Sequence, residues 1–581
     1  MASMSWLKWS DILIDFGREV YVPWQLAEGK VLYRDIFYFN GPLSPYLNSL
    51  LFRLFGESIF VLEAFNILVI AATTFLIYKL FKEEGDGLST LFVCAAFLTL
   101  FAFPQYMPYG NYNFVAPYSH ELTHGIFISL LGLYLLRLYV EERRYLWLAS
   151  MGFCAGLALL TKVEVYFSFL TAVVLGLFLA FRAERPGWSG ILKRVSIFGF
   201  AAILPVAAFL AYLSLHMEVR EALRGIFGSW FILGTTDVGS TLFYRVIMGV
   251  ERPWFNLGRM LTVFSWYAAW FVVVAVVNHA FGKTGFLRKH AGLVACLVSV
   301  LVFFRFHEWV PWPEIFRPLP LIMLLFGAAI FVLFVRSRNG HEAPGRSIPV
   351  LALTVFSFMM LLKILLAVHI VHYGFALAMP ATLVFIKALL SWAPSLLTRL
   401  SGHCSFYRMA VLTTIMLTVG WHAGVSWGFY KLRSFAVGSG WDTVVTYGPG
   451  VTSRGLHLKA ALEEIEKIMA PRESFVALPE GVILNYLSRR PNPTGFVNFL
   501  PPDVIMFGEE RMLAVFEEAP PDYVLLVSRP TPEYGYEFFG RDYGLKLYSW
   551  ATDNYEPVSQ IGAAPFQGDD FGVVIMKRVD G

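Results

Sequence analysis

The chain has 581 residues, of which 57% are hydrophobic and only 15% charged, and its formal net charge is +4. So apolar a composition excludes a soluble globular protein, and so small a charge gives no ground for a nucleic-acid partner. The four cysteines lie in apolar segments or on the side read below as cytoplasmic, so neither a disulfide framework nor a zinc-ribbon spacing is present.

The chain opens on a polar, aromatic stretch, Asp15 to Leu50, reading DFGREVYVPWQLAEGKVLYRDIFYFNGPLSPYLNSL. Asp15 and Glu19 stand four apart, on one face if the segment is helical. Asp35 follows, and Asn40, Gly41 and Pro42 mark a turn into the amphipathic PLSPYLNSLLFRLFG. Apolar runs then recur near 58–79, 88–103, 122–140, 145–161, 164–182, 196–216, 260–281, 291–304, 318–335, 347–367, 373–391 and 409–429. Runs of this kind predict about twelve membrane spans. Past residue 430 the composition turns soluble. LHLKAALEEIEKIM and GVILNYLSRR have helical spacing, while ESFVALP, DYVLLVS and FGVVIMKR read as short buried strands. The expectation is a polytopic α-helical membrane protein with a small C-terminal extracytoplasmic α/β domain. Its parts are a first extracytoplasmic loop with amphipathic helices (1–57), a transmembrane bundle (58–430) and a soluble α/β domain (438–581).

Basic residues set the orientation. Lys79 and Lys82, Arg143 and Arg144, Arg182 and Arg185, Lys193 and Arg194, and Arg399 and Arg408 fall in one set of connections. The alternate short connections hold only Lys162, Arg305 and Arg317. The first set is therefore cytoplasmic, and the loop at 1–57, the connections at 104–121, 217–258 and 305–317, and the tail face outward.

Polar clusters at the outer edge of a membrane are costly and mark functional candidates. Asp15, Glu19 and Asp35 read blandly as solvated acids or helix caps. Read functionally, they activate an acceptor hydroxyl or amine, or hold a metal. His120-Glu121-Leu122-Thr123-His124 is a formal HExxH, in which two histidines on one helix face bind zinc beside a general base. It equally reads as a polar rim of the same site, or as a cap on the next span. Lys162 and Glu164, in LLTKVEVYF, read as an ion pair closing a tight turn or as site residues. In LLKILLAVHIVHYGFALAMP, Lys363 either snorkels or binds a phosphate as a point charge, with His372 and Tyr373 sharing the oxyanion. His307, Glu308, Glu314 and Arg317 sit among Trp309 and Trp312, which are ordinary interfacial anchors. All five clusters fall on one side under an orientation set by other residues. Carboxylates, a lysine and aromatic faces suit the transfer of a sugar from a lipid phosphate.

The opening loop resembles the first extracytoplasmic loop of the bacterial relatives of protein O-mannosyltransferases, which are similar to the lipid A aminoarabinose transferases. PYSHELTHG and LLTKVEVYF resemble the second loop of that family and the turn after it, and LLKILLAVHIVHYGFALAMP resembles its phosphate-side helix. The resemblance covers residues 11–390 loosely. It implies a GT-C fold, glycosyltransferase family 39-like, and transfer of a hexose or pentose from a polyprenyl-phosphate donor to a glycan, lipid or protein acceptor. The enzyme is then a multi-pass protein of a bacterial-type cytoplasmic (inner) membrane, surrounded by membrane lipid and with its C-terminal domain outside. Asp15 matches the loop acid that serves as base and Asp35 the later acid, with Glu19 in support. His120, Glu121, His124, Lys162 and Glu164 border the substrate, and Lys363, His372 and Tyr373 hold the donor phosphate. Many relatives carry adjacent Asp-Glu, whereas Asp15 is followed by Phe16. A divalent cation held by Asp15 or Glu121 is therefore left open. The family also has a spanning helix ahead of this loop, and fourteen residues precede Asp15 here. A start placed too far downstream, or a shortened member, is the expectation. Two rival functions stand beside the transferase: a transporter or flippase for a lipid-linked precursor, and a zinc protease acting through His120 and His124.

Overall fold

The computed structural model describes residues 4–82, 87–110, 112–281, 285–337 and 347–579. Its first helices, α1 (Phe16–Ala27) and α2 (Leu43–Phe55), pack against each other. They are followed by α3 (Ile59–Phe81), α4 (Gly87–Phe97), α5 (His120–Glu142), α6 (Tyr145–Leu159), α7 (Val163–Glu184) and α8 (Trp188–Ser214). Among the described residues ten helices are long and apolar enough to cross a membrane, and the apolar segments Gly87–Ala102 and Tyr145–Leu159 are shorter. Each of the twelve predicted runs falls on one of these. A helix of the length of α6 rises only about 22 Å, against roughly 30 Å of hydrocarbon. The chain is a multi-pass membrane protein.

Burial divides the bundle. Helix α5 is the most enclosed, 72% of its apolar window being inside the protein, against 11% for α8. Phe178, Trp188, Leu192, Phe200 and Ile203 are exposed on α7 and α8, as side chains bathed in lipid should be. The predicted outer connection at 217–258 is largely helical, with Val219–Ile226, Gly228–Thr235 and Leu242–Met248. Ala222 and Ile226 explain the first of these, since they bury against Val31 and Leu160. Basic residues collect at one end of the bundle. There Arg137 donates to the Lys79 carbonyl at 2.9 Å, and Glu184 pairs with both Arg143 and Arg194.

The N-terminal loop is clamped from two sides. Gly41 lies so close to the end of α6 that a Cβ there would stand 2.2 Å from the Leu160 carbonyl oxygen. The amides of Gly41 and Leu43 donate to Thr161 O and Leu160 O at 2.9 and 3.0 Å. On the other side, a Cβ on Gly17 would stand 2.7 Å from the Ile483 amide nitrogen in the helix Val482–Ser488. Only glycine permits such backbone approaches.

Beyond the bundle, strands β1 (Arg433–Val437) and β2 (Val444–Tyr447) form an antiparallel pair. Strands β3 (Phe475–Leu478), β4 (Tyr523–Val527), β5 (Tyr555–Gly562) and β6 (Gly572–Arg578) form a sheet in the order β3-β4-β6-β5. Only β3 and β4 run parallel. All five residues of β4 are buried, which is why YVLLV shows no alternation. The three predicted strands are β3, β4 and β6. Strand β5 escapes the apolar pattern because most of YEPVSQIG is exposed on the sheet edge.

Candidate functional site

Asp15 precedes α1 rather than lying in it, so the shared helix face expected for Asp15 and Glu19 does not exist. Its φ is 64° and its ψ −45°, and the Phe16 amide donates to Ile14 O at 2.7 Å. These define a γ-turn of the strained, positive-φ kind, a conformation that costs about 1–3 kcal/mol. It is pinned on both sides. Asp11 Oδ1 accepts from the amides of Leu13 and Ile14, each at 2.9 Å. The Asp15 amide itself donates to Glu480 Oε1 at 3.0 Å. Burial pushes the half-buried Asp15 carboxyl up to about 7; the Glu480 charge adds to the rise, and Arg18 and Arg529 oppose it.

Glu19 does different work. One oxygen takes the Arg18 guanidinium at 2.9 Å. The other accepts from the His120 backbone amide at 2.8 Å and from His120 Nδ1 at 2.6 Å, capping α5. Burial would raise this carboxyl, but Arg18 and His120 outweigh it and hold it near 2. With Nδ1–H given to Glu19, His120 Nε2 is the acceptor for the Asn66 amide at 3.0 Å. Glu121 accepts from the Tyr38 hydroxyl and, at 2.6 Å, from Ser119. His124 Nδ1 meets Ser44 Oγ at 3.0 Å. The HExxH residues therefore form a polar seam that ties the loop and α2 to α5. Among the described residues no group of three His, Cys, Asp or Glu is placed to hold a metal. Glu121 has both oxygens committed within the protein, and the zinc-ligand geometry of a metalloprotease is not formed.

Lys162 and Lys363 flank Glu164. Lys363 Nζ lies 2.8 Å and Lys162 Nζ 3.9 Å from Glu164 Oε1. Each ammonium faces a ring, Lys162 over Tyr118 at 4.8 Å and Lys363 over Tyr373 at 5.6 Å. The two tyrosines meet edge to face at 5.3 Å, and the buried Tyr118 hydroxyl has no hydrogen-bond partner among the described residues. Two cations against one anion leave a net positive pocket with a free phenol, which is fit for a phosphate. Burial lowers the Lys162 ammonium to about 8, with Glu164 opposing. Arg18 joins this pocket to α1 by donating to Tyr118 O at 2.9 Å.

Two expected members are not brought in. Asp35 accepts from the Val31 amide and pairs with Arg34, both at 2.7 Å, in a surface turn. His372 has both ring nitrogens engaged: Nδ1 accepts from the Gly374 amide at 2.8 Å and Nε2 meets Ile247 O at 3.1 Å. Its imidazole, lowered to about 3 chiefly by burial, caps the turn Tyr373–Ala378. In the fifth cluster the polar and aromatic groups pair with one another or with nearby residues, Glu314 with Arg259 at 2.6 Å and Trp312 stacked on Trp421. Conversely, the sequence reading missed Arg18, Asn66, Tyr118, Glu480 and Arg529. Adjacent Arg18-Glu19 hinted at the first. LPEGV and VSRPT carry no motif that hints at the last two.

Residues 40–213 match the family model described as dolichyl-phosphate-mannose-protein mannosyltransferase. That stretch of this multi-pass membrane protein is similar to a glycosyltransferase family. The matched stretch includes His120, Glu121, Lys162 and Glu164, and leaves Asp15, Glu19 and Lys363 outside it. The chain is similar to ArnT from Cupriavidus metallidurans bound to undecaprenyl phosphate, at 14% identity and a TM-score of 0.46, over 98% of this chain and 94% of that one. For the apo form of the same protein the values are 14% and 0.45, over 99% and 95%. No curated protein matches the chain at a significant level.

Proposed function

We propose that this protein is a glycosyltransferase that moves a sugar from a polyprenyl-phosphate donor to an acceptor on the extracytoplasmic face of a cytoplasmic membrane. The observation that carries the reading is a carboxyl on a strained, pinned turn beside a pocket of two lysines and two tyrosines at one end of an apolar bundle. The dolichyl-phosphate-mannose of the matching family's description is a donor of the same chemistry. Lys162, Lys363, Tyr118 and Tyr373 hold the donor phosphate. Asp15 takes the proton of the acceptor hydroxyl or amine as that atom bonds to the anomeric carbon. The bond from that carbon to the phosphate oxygen breaks, and polyprenyl phosphate leaves with the electron pair, its charge met by the lysines. Glu19 and His120 keep α1 seated on α5, so that Asp15 faces the pocket. The hexose or pentose transferred and the glycan, lipid or protein acceptor are not distinguished by these residues.

The test is release of polyprenyl phosphate from labelled polyprenyl-phosphate sugars by the purified protein in lipid. Asp15→Asn should abolish release, and Lys363→Met should raise the donor KM by about tenfold as one charge-assisted contact is lost. Full turnover by a folded Asp15→Asn protein would remove the central claim. The flippase alternative predicts lipid-linked precursor crossing a vesicle membrane with no release, and no observation here favours it.

A further inference from the structure

The residue that holds Asp15 in its strained turn belongs to the far end of the chain. Glu480 is buried, 2% exposed, at the end of β3. Its Oε1 accepts the Asp15 amide at 3.0 Å and its Oε2 takes Arg529 Nε at 2.9 Å. Arg529 is anchored in turn by Glu533 at 2.7 Å. The neighbouring backbone makes the same junction: Gly481 lies against Leu13, and the Ile483 amide presses on Gly17. Tyr534 continues the contact by packing on Phe243 at 4.6 Å, and Phe243 stacks on Tyr373 of the phosphate pocket at 5.5 Å.

We propose that Glu480, locked by Arg529, is a positioning residue for Asp15, so that the C-terminal α/β unit completes the transferase site rather than merely sitting beside it. A γ-turn at positive φ persists only where its surroundings over-determine it. One of its two anchors, Asp11, comes from the same loop, and the other is Glu480. Without Glu480 the Asp15 amide has no acceptor, and the turn relaxes toward ordinary backbone and carries the carboxyl off the pocket. This inference rests on Asp15 acting as the base.

The charged groups facing Asp15 are Glu480 and Arg529 from the C-terminal unit and Arg18 and Glu19 from α1. The phenols of Tyr112 and Tyr534 are also within electrostatic reach. Removing the charge at 480 while keeping an acceptor oxygen therefore separates position from electrostatics.

The experiment compares Glu480→Ala, Glu480→Gln, Asp15→Asn and the Asp15→Asn/Glu480→Ala pair in the donor-release assay, with thermal melting as a check on folding. Glu480→Ala should cut kcat at least about tenfold with donor KM within about twofold, the signature of a lost transition-state arrangement. Glu480→Gln should recover most of kcat at its optimum, with the acidic limb of its pH profile moved to lower pH. The double variant should be no slower than Asp15→Asn alone, because a group acting through another adds nothing once that other is gone. A folded Glu480→Ala enzyme with wild-type kcat beside an inactive Asp15→Asn enzyme overturns the inference and leaves the base intact. An active Asp15→Asn enzyme removes the base, and the inference with it. If Glu480→Ala does not fold, the Gln variant decides: an unmoved acidic limb, or no recovery of kcat, counts against Glu480.

Discussion

On the proposed mechanism, two groups outside the membrane spans set the pH dependence of transfer. Asp15 must be deprotonated to take the acceptor proton, and burial has raised it to about 7. Lys162 must be protonated to hold phosphate, and burial has lowered it to about 8. The competent form, carboxylate with ammonium, therefore dominates only between these values. The profile of kcat/KM should be a narrow bell centred near pH 7.5, with about 60% of the free enzyme competent at its peak. Each unit of pH below the acid limb costs about tenfold, so activity at pH 5 should be about sixtyfold below the maximum. An Asp at its ordinary value of about 3.9 would leave activity at pH 5 nearly intact. The assay is initial-rate release of polyprenyl phosphate from pH 4.5 to 9.5 at constant ionic strength. Lys162→Arg supplies the internal control, since a guanidinium stays charged throughout. It should erase the alkaline limb and leave the acidic one in place. An acidic limb below pH 5, or an alkaline limb that survives in Lys162→Arg, would refute the reasoning.

Other consequences are measurable without the donor. A carboxyl whose folded value lies above its unfolded value contributes stability below about 3.8 that is lost as pH rises through about 7. Asp15→Asn should therefore melt at a higher temperature than wild type at pH 8 and show no difference at pH 4; a lower melting point at pH 8 would contradict this. Glu19→Ala strands the Arg18 charge beside His120 and should cost about 3–5 kcal/mol, as breaking one side of a buried pair does. Denaturation in mild detergent would show it, and a change below about 1 kcal/mol would mean that the pair is solvated. Gly17→Ala drives a Cβ against the Ile483 amide at 2.7 Å and should lower the melting temperature by loosening the C-terminal unit. Limited proteolysis should then cut first between residues 432 and 454, ahead of any cut inside the bundle.

The fold was largely legible because its signals are physical and local. Runs of apolar residues long enough for hydrocarbon cannot be hidden, and each predicted run is a helix. Buried strands such as YVLLV announce themselves by having no polar alternation. The site was less legible, because it is made by contacts between distant residues. The HELTH pattern matches a zinc motif, yet its histidines are bound by Glu19, Asn66 and Ser44, partners invisible to a motif. Lys363 and Glu164 each stand out in their own segment, but nothing in either segment shows that they form one ion pair 199 residues apart. The position of His372 at the membrane edge suggests an anion ligand, whereas the nearby Gly374 amide takes it as a cap. Asp35 stands out as an acid ahead of a turn and matches the later acid of the loop pattern, but its adjacent Arg34 claims it.

The clamp on Asp15 also sets an order of events during synthesis. The residue is made 465 positions before the Glu480 that fixes it. Chains fold as they emerge, so the bundle can be inserted and packed while the turn at Asp15 still lacks its second anchor. The ribosome must pass β3 and then Arg529 before the carboxyl is locked. On the proposed reading, a growing chain cannot spend lipid-linked sugar until it is nearly finished, and truncation by a late stop codon should leave a well-inserted but silent protein.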